Sequence, residues 1–145
     1  GRGGRDQHPI TCVPWKGADA YCRWAGTRLP NEDEWEKAAS GVDRRRFPWG
    51  DDSVDCRFAV FKSSNGKGCG RSSTWPVGSK PPGESPFGAL DMAGNVWEWT
   101  AEKVLRGGAW SDDADAVDLD ARIGGPSATR RRRLAQIGFR CAQNN

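Results

Sequence analysis

Five aspartates crowd one short stretch, Asp112, Asp113, Asp115, Asp118 and Asp120, and carboxylates at that density could hold a divalent cation. Their spacing fits no EF-hand loop, whose ligands alternate around a fixed glycine. The stretch therefore reads as a mixed, solvated surface. The five cysteines, Cys12, Cys22, Cys56, Cys69 and Cys141, contain no C-x-x-C pair, which argues against a zinc knuckle. Their odd number leaves at least one thiol unpaired within the chain. Cys56 and Cys69 flank a glycine-rich loop and could bridge in an oxidising compartment, although spacing alone does not establish the geometry. Trp97 and Trp99 are tempting as ligand platforms. Two positions apart on a strand they share a face, and they read as core.

The aspartates lie inside a longer stretch of unusual composition. Residues 111–135 contain no Lys, Glu, Gln, Met or Trp, all of which occur elsewhere in the chain. These are the five types that a codon ending in a pyrimidine cannot encode. Adenine-rich codons of the Asn type, randomised at their first two bases, would produce such a stretch. Constant-looking frames enclose it: Val104-Leu105-Arg106-Gly107-Gly108-Ala109-Trp110 before, and Ile137-Gly138-Phe139-Arg140-Cys141-Ala142 after. The composition points to a surface selected for diversity, which suits a binder better than a catalyst.

What must position this surface is one domain. The chain has 145 residues, 36% of them hydrophobic, and a net charge of +3, enough to bury a core without a strong electrostatic bias. Arg44 to Arg46 and Arg130 to Arg133 read as solvated loops rather than phosphate-binding runs, so no nucleic-acid partner is expected. No stretch reaches the length of a membrane span and no charged-then-apolar leader is present, so a soluble domain is expected. Residues 1–7 read as a disordered linker or cut end, and residues 8–145 as a single domain. Ala20, Tyr21 and Trp24 at helical spacing predict a helix over 16–24, stopped at Gly26. Asn31, three residues before Glu34 and followed by acids, predicts a second helix running to about Ala39. Residues 52–85 are rich in Gly, Ser, Pro and Lys, with only Phe58 to Phe61 strand-like. Strand signals return at 95–100, 104–106 and 137–142. The fold class is α+β: two short helices, a small antiparallel sheet late in the chain, and many irregular loops.

Taken together, His8-Pro9-Ile10, Trp15, Ala20-Tyr21-Cys22, Arg28-Leu29-Pro30, Glu34-Trp35-Glu36, Phe47-Pro48-Trp49-Gly50, Asp91-Met92-Ala93-Gly94-Asn95-Val96-Trp97-Glu98-Trp99, Arg106-Gly107-Gly108 and Gly138-Phe139-Arg140 resemble the formylglycine-generating enzyme family of the C-type-lectin-like fold. The enzyme of that family is a copper-dependent oxidase using two cysteines five positions apart. The positions matching them here are Asp112 and Val117, which supply no thiolate for Cu(I) or for a substrate cysteine. No copper is therefore expected. The related iron-dependent sulfoxide synthases need several histidines, and His8 stands alone. The resemblance also implies a structural calcium ion, held by the carboxylates of Asp91 and Glu98 and the carbonyls of Gly94 and Val96. A second family calcium site uses an Asn where this chain has Val60, and is not carried over. Members of the family carry a further N-terminal region, with a strand beside the C-terminal one, and the residues here begin after its expected place.

Within this fold, a subgroup resembles the variable proteins of diversity-generating retroelements, in which a segment between constant frames is rewritten. The short interval Ala101-Glu102-Lys103, the composition of 111–135 and the closing Gly-Phe-Arg match that arrangement. It implies a non-catalytic display protein of prokaryotic or phage origin that binds varied protein ligands. Val117, Leu119, Ala121, Arg122, Pro126, Arg130 and Leu134 have the character of internal struts. The expected ligand-facing positions are Ser111, Asp112, Asp113, Asp115, Ala116, Asp118, Asp120, Ile123, Gly124, Gly125, Ala128, Thr129, Arg131, Arg132, Arg133 and Ala135. The rival readings are a non-catalytic module with one fixed partner, in signalling or sensing, and an oxidase of the family's own kind. Oligomeric state is left open.

Overall fold

The computed structural model describes residues 4–124 and 134–144. Helix α1 spans Trp15–Trp24 and follows Pro14, whose extended backbone feeds the first turn. Ala18 and Cys22, one turn apart, are the residues it buries. The helix ends at Gly26, with φ of 74° and its N–H bonded back to the Arg23 carbonyl, a left-handed stop that glycine adopts without strain. Helix α2 spans Glu32–Ser40. Its cap is the one expected: Asn31 Oδ1 accepts the Glu34 N–H at 2.8 Å, and the Asn31 amide donates to Glu34 Oε1 at 2.9 Å.

Four very short strands form the sheet: β1 Trp97–Trp99, β2 Leu105–Arg106, β3 Arg122–Ile123 and β4 Ile137–Gly138. Their spatial order is β3-β2-β1-β4. β1 with β2 and β2 with β3 pair antiparallel, but β4 lies parallel to β1, with Trp97 opposite Ile137. The expected antiparallel sheet is thus a mixed one. The physical reason is the length of the connection: β2 and β3 both intervene in the chain between β1 and β4, so β4 returns beside β1 by the long route that a parallel pairing needs and a hairpin does not. The strand-like run 58–61 contributes only a single bridge, Val60 to Gly94.

Indole rings anchor the loops that this small sheet cannot hold. Trp97 and Trp99 are buried, as expected of alternate residues on one face. The ring nitrogens of Trp15, Trp75 and Trp99 donate to the carbonyls of Thr100, Gly68 and Val13. Each ring buries a large apolar face while its one donor fixes a distant loop. Two disulfides add to this. Cys22–Cys141 ties α1 to the chain just beyond β4, and Cys56–Cys69 closes the glycine-rich loop. Cys12 is the free cysteine and is exposed.

Candidate functional site

The first frame seats the segment on α2. Arg106 is fully buried; Nη1 donates to Glu32 at 2.9 Å, and Nη2 donates to Glu36 at 3.4 Å and to the Leu119 carbonyl at 2.7 Å. Its guanidinium also lies over the Trp35 ring, 5.0 Å from the centroid. One side chain from β2 therefore grips both the helix and the middle of the segment. The two glycines that follow allow close approach. A Cβ on Gly108 would lie 2.5 Å from the Ala116 carbonyl oxygen, and its φ of 77° strains any other residue. The turn Ala114–Val117 packs directly against this backbone.

The expected ligand-facing positions fall into three groups. Asp113, Asp115, Asp120, Gly124 and Ala135 are exposed. Ser111, Asp112, Ala116, Asp118 and Ile123 are half-buried and have scaffold partners as well. Asp112 Oδ2 accepts the Trp97 ring N–H at 2.6 Å and the Ala109 N–H at 3.1 Å. Asp118 receives Arg46 Nε at 2.7 Å and the Asp120 N–H at 3.0 Å. Ser111 Oγ meets the Gln136 amide, while Ala116 and Ile123 pack against the core around β1. Gly125, Ala128, Thr129, Arg131, Arg132 and Arg133 lie outside the described residues, as do the struts Pro126 and Arg130. Of the other struts, Val117 and Leu119 are buried, and Ala121 packs on the core. Arg122 and Leu134 are exposed instead, because a two-residue edge strand and a terminal turn have no layer above them.

Positions 112 and 117 carry the central negative finding. Asp112 is spent on an indole and a backbone amide. Val117 is fully buried among Phe47, Ala59, Phe61 and Ala93. Neither supplies a thiolate.

The residues expected to hold calcium are partly assembled. Asp91, Val96 and Glu98 line one cavity of about 500 Å³ together with His8, Gly78 and Arg140. Gly94 is not on its wall, and its carbonyl accepts the Val96 N–H at 2.9 Å. Glu98 accepts the Trp35 ring N–H at 2.8 Å and two bonds from Arg140, at 2.6 and 2.7 Å. Asp91 accepts the Gly78 N–H at 2.7 Å. Burial pushes the Asp91 carboxyl up from its ordinary range, and repulsion by Glu98 adds to this, while the Gly78 N–H and Arg140 oppose it. Two carboxylates confined together are the chemistry a divalent cation relieves, so the donor set suits an oxygen-loving ion. Among the described residues no three His, Cys, Asp or Glu side chains converge. The remaining ligands would have to be main-chain carbonyls.

A larger concave surface adjoins the segment and was not anticipated. It measures about 880 Å³ and lies between residues 54–65 and Asp113, Ala114 and Asp115. Lys62 joins its two sides, by its N–H to the Asp112 carbonyl at 2.8 Å and by its ammonium to Asp113 at 2.9 Å. Nothing local in the run 54–65 marks it as a wall, because its partner is some fifty residues away in sequence.

The chain matches the sulfatase-modifying factor enzyme 1-like domain over residues 2–145. It is 36% identical to the inactive C-alpha-formylglycine-generating enzyme 2 of Bos taurus, covering 94% of this chain and 50% of that protein. Against the formylglycine-generating enzyme of Streptomyces coelicolor the identity is 34%, over 97% of this chain and 54% of the enzyme. The chain thus spans about half the length of these curated relatives. Among solved structures it superposes on Treponema denticola variable protein 1 with a TM-score of 0.59 and 27% identity, over 77% of this chain and 45% of that one. Active, inactive and variable members share one scaffold, and this chain belongs to that family, the formylglycine-generating enzyme or sulfatase-modifying factor domain.

Proposed function

We propose that this domain is a non-catalytic recognition module, in which the family scaffold carries a C-terminal segment, diversified by a retroelement, that binds protein ligands. The observation that carries the reading is the fate of positions 112 and 117. A carboxylate committed to Trp97 and a buried isopropyl group provide no soft ligand for Cu(I) and no partner for a substrate cysteine. Beside them, Asp113, Asp115 and Asp120 stand exposed on a backbone gripped by Arg106. The resemblance to a variable protein and to an inactive relative supports the same reading.

Two measurements test it. Copper-loaded protein incubated with a cysteine-containing peptide should produce no formylglycine; turnover would restore the oxidase. Sequencing of sibling genes beside their template repeat should show changes confined to residues 111–135 and concentrated at template adenines. Uniform drift along the gene would favour the module with one fixed partner.

We infer in addition that calcium pins the loops around β1, held by Asp91, Glu98 and the carbonyls of Gly94 and Val96. A carboxylate offers about four acceptor sites, and Glu98 uses three, so it would share itself between the ion and Arg140. The Gly94 carbonyl accepts one bond, from Val96, and keeps a second lone pair for the ion. Added calcium should raise the melting temperature of chelator-treated protein, and an unchanged melting temperature would remove the ion from the account.

A further inference from the structure

Recognition by the segment alone would leave the concave surface beside it without a role. We propose that this cleft, walled by residues 54–65 and by Asp113 to Asp115, is the seat of the contact, and that it takes an extended segment of the partner protein carrying a basic side chain. The inference rests on the recognition reading above and names where and what is bound.

Three observations carry it. The first is construction. The wall at 54–65 is tied near its start by Cys56–Cys69, and the chain just beyond it is held by Trp75, whose ring N–H donates to the Gly68 carbonyl at 2.8 Å. It is sewn to the frame by Gly68 N–H to the Trp110 carbonyl and Lys62 N–H to the Asp112 carbonyl. A cleft of about 880 Å³ on such pinned walls is largely preformed, so little ordering is required on binding.

The second is charge. The lining contains Asp55, Asp113 and Asp115 against Arg57 and Lys62. Arg57 is consumed by Asp55, with contacts of 2.7 to 3.1 Å. Lys62 faces Asp113 across a pair exposed on both sides, the kind of ion pair that an incoming cation displaces at little cost. Among the described residues no ion pair within 4.0 Å reaches Asp115, and the nearby Arg46, which also feels the Asp115 charge, is held by Asp118. The acidic excess therefore lies on the segment side and is complementary to Lys or Arg of a ligand. The third is polarity along the opposite wall, where Ser64 and Asn65 present exposed side chains able to bond an extended main chain. Because 54–65 lies outside 111–135, one wall stays constant while the other changes. The constant wall would seat the backbone of any ligand, and the segment would select its side chains.

A display library of random hexapeptides, selected on the whole domain, tests this. Enriched hexapeptides should carry Arg or Lys. They should bind at least tenfold more weakly to Asp115→Lys, and also to Ser64→Trp, which fills the cleft from the constant wall without touching the segment. Retained melting temperatures establish that both variants fold, and Asn65→Arg serves on the same wall if Ser64→Trp does not. Enrichment without a basic residue overturns the proposal. Loss with Asp115→Lys but none with either wall variant removes the cleft and leaves segment recognition standing. Indifference to these variants and to wholesale replacement of the exposed segment positions would overturn both.

Discussion

Residues 105–109 are buried throughout, whereas between 111 and 124 only Val117 and Leu119 are. Two adjacent stretches of the same chain thus meet opposite constraints. In the frame, backbone is the constraint: Gly107 and Gly108 have φ of 97° and 77°, and a Cβ on either would meet neighbouring backbone at 3.0 Å or less. In the segment, burial is the constraint, and it applies position by position. Val117 and Leu119 are held by packing, Asp112 and Asp118 by hydrogen bonds, and Asp113, Asp115 and Asp120 by neither packing nor a core contact. A surface can be rewritten only where side chains leave the scaffold indifferent. The difference teaches that tolerance here is interleaved with structure rather than laid out as a block.

The sharpest way to break the contrast is at Arg106, the residue that joins the two stretches. Arg106→Ala should lower unfolding free energy by about 3 kcal/mol, the lower end for breaking a buried ion cluster, because Glu32 and Glu36 reach solvent and can relax. Arg106→Lys should recover little, since an ammonium cannot fork between two carboxylates and the Leu119 carbonyl. Urea unfolding measures both. A loss no larger than that of an exposed arginine such as Arg23 would show that the segment is seated by its glycines alone.

Asp112 tests the contrast within a single residue type. Asp112→Ala removes the carboxylate that accepts from the Trp97 ring N–H and the Ala109 N–H, and should cost about 2 kcal/mol. Asp113→Ala, one position on, should cost nothing measurable, and Asp112→Asn should restore most of the loss by keeping an acceptor. Equal melting temperatures for the two alanine variants would erase the distinction between them.

That pair also shows what was legible in the sequence. The cap at Asn31 and Glu34 could be read because both partners lie within one helical turn. The stop at Gly26 was readable for the same reason, as was the pairing of Trp97 with Trp99 on one buried face. Asp112 could not be told from Asp113, because what separates them is Trp97, fifteen residues back and brought close only by the fold. β3 was not anticipated, since its two residues acquire strand character only by pairing with Leu105 and Arg106. Nor could the direction of β4 be read, for local alternation is the same in parallel and antiparallel ladders. The cleft shares this difficulty, being made by two loops with no common local pattern.

A smaller effect, of opposite sign, is expected at Asp91. Its carboxyl is raised by burial and by Glu98, so the fold binds its proton more tightly than the unfolded chain does. The linkage runs accordingly: stability contributed by this group is greatest below the ordinary carboxylate range and falls as pH rises through the raised value. In chelator, Asp91→Asn keeps an acceptor for Gly78, loses the repulsion, and should raise the melting temperature slightly at neutral pH while flattening its decline above the acid range. With calcium present the order should reverse, because the variant gains nothing from the ion. A variant less stable than the parent in chelator would mean that the Gly78 N–H and Arg140 together outweigh burial and the repulsion from Glu98.

The smallest expected effect on stability decides most about recognition. Asp113, Asp115 and Asp120 are exposed and make no core contact; the pair of Asp113 with Lys62 is solvent-exposed on both sides and screened by salt. Replacing all three by alanine should leave the melting temperature unchanged, since surface substitutions away from caps, cores and buried pairs rarely matter. The same triple variant should abolish capture of a basic hexapeptide selected on the parent domain, because it removes Asp113 and Asp115, the carboxylates on the segment side of the cleft; Asp120 lies outside the cleft. A fall in melting temperature comparable to that of Asp112→Ala would mean that these positions belong to the scaffold.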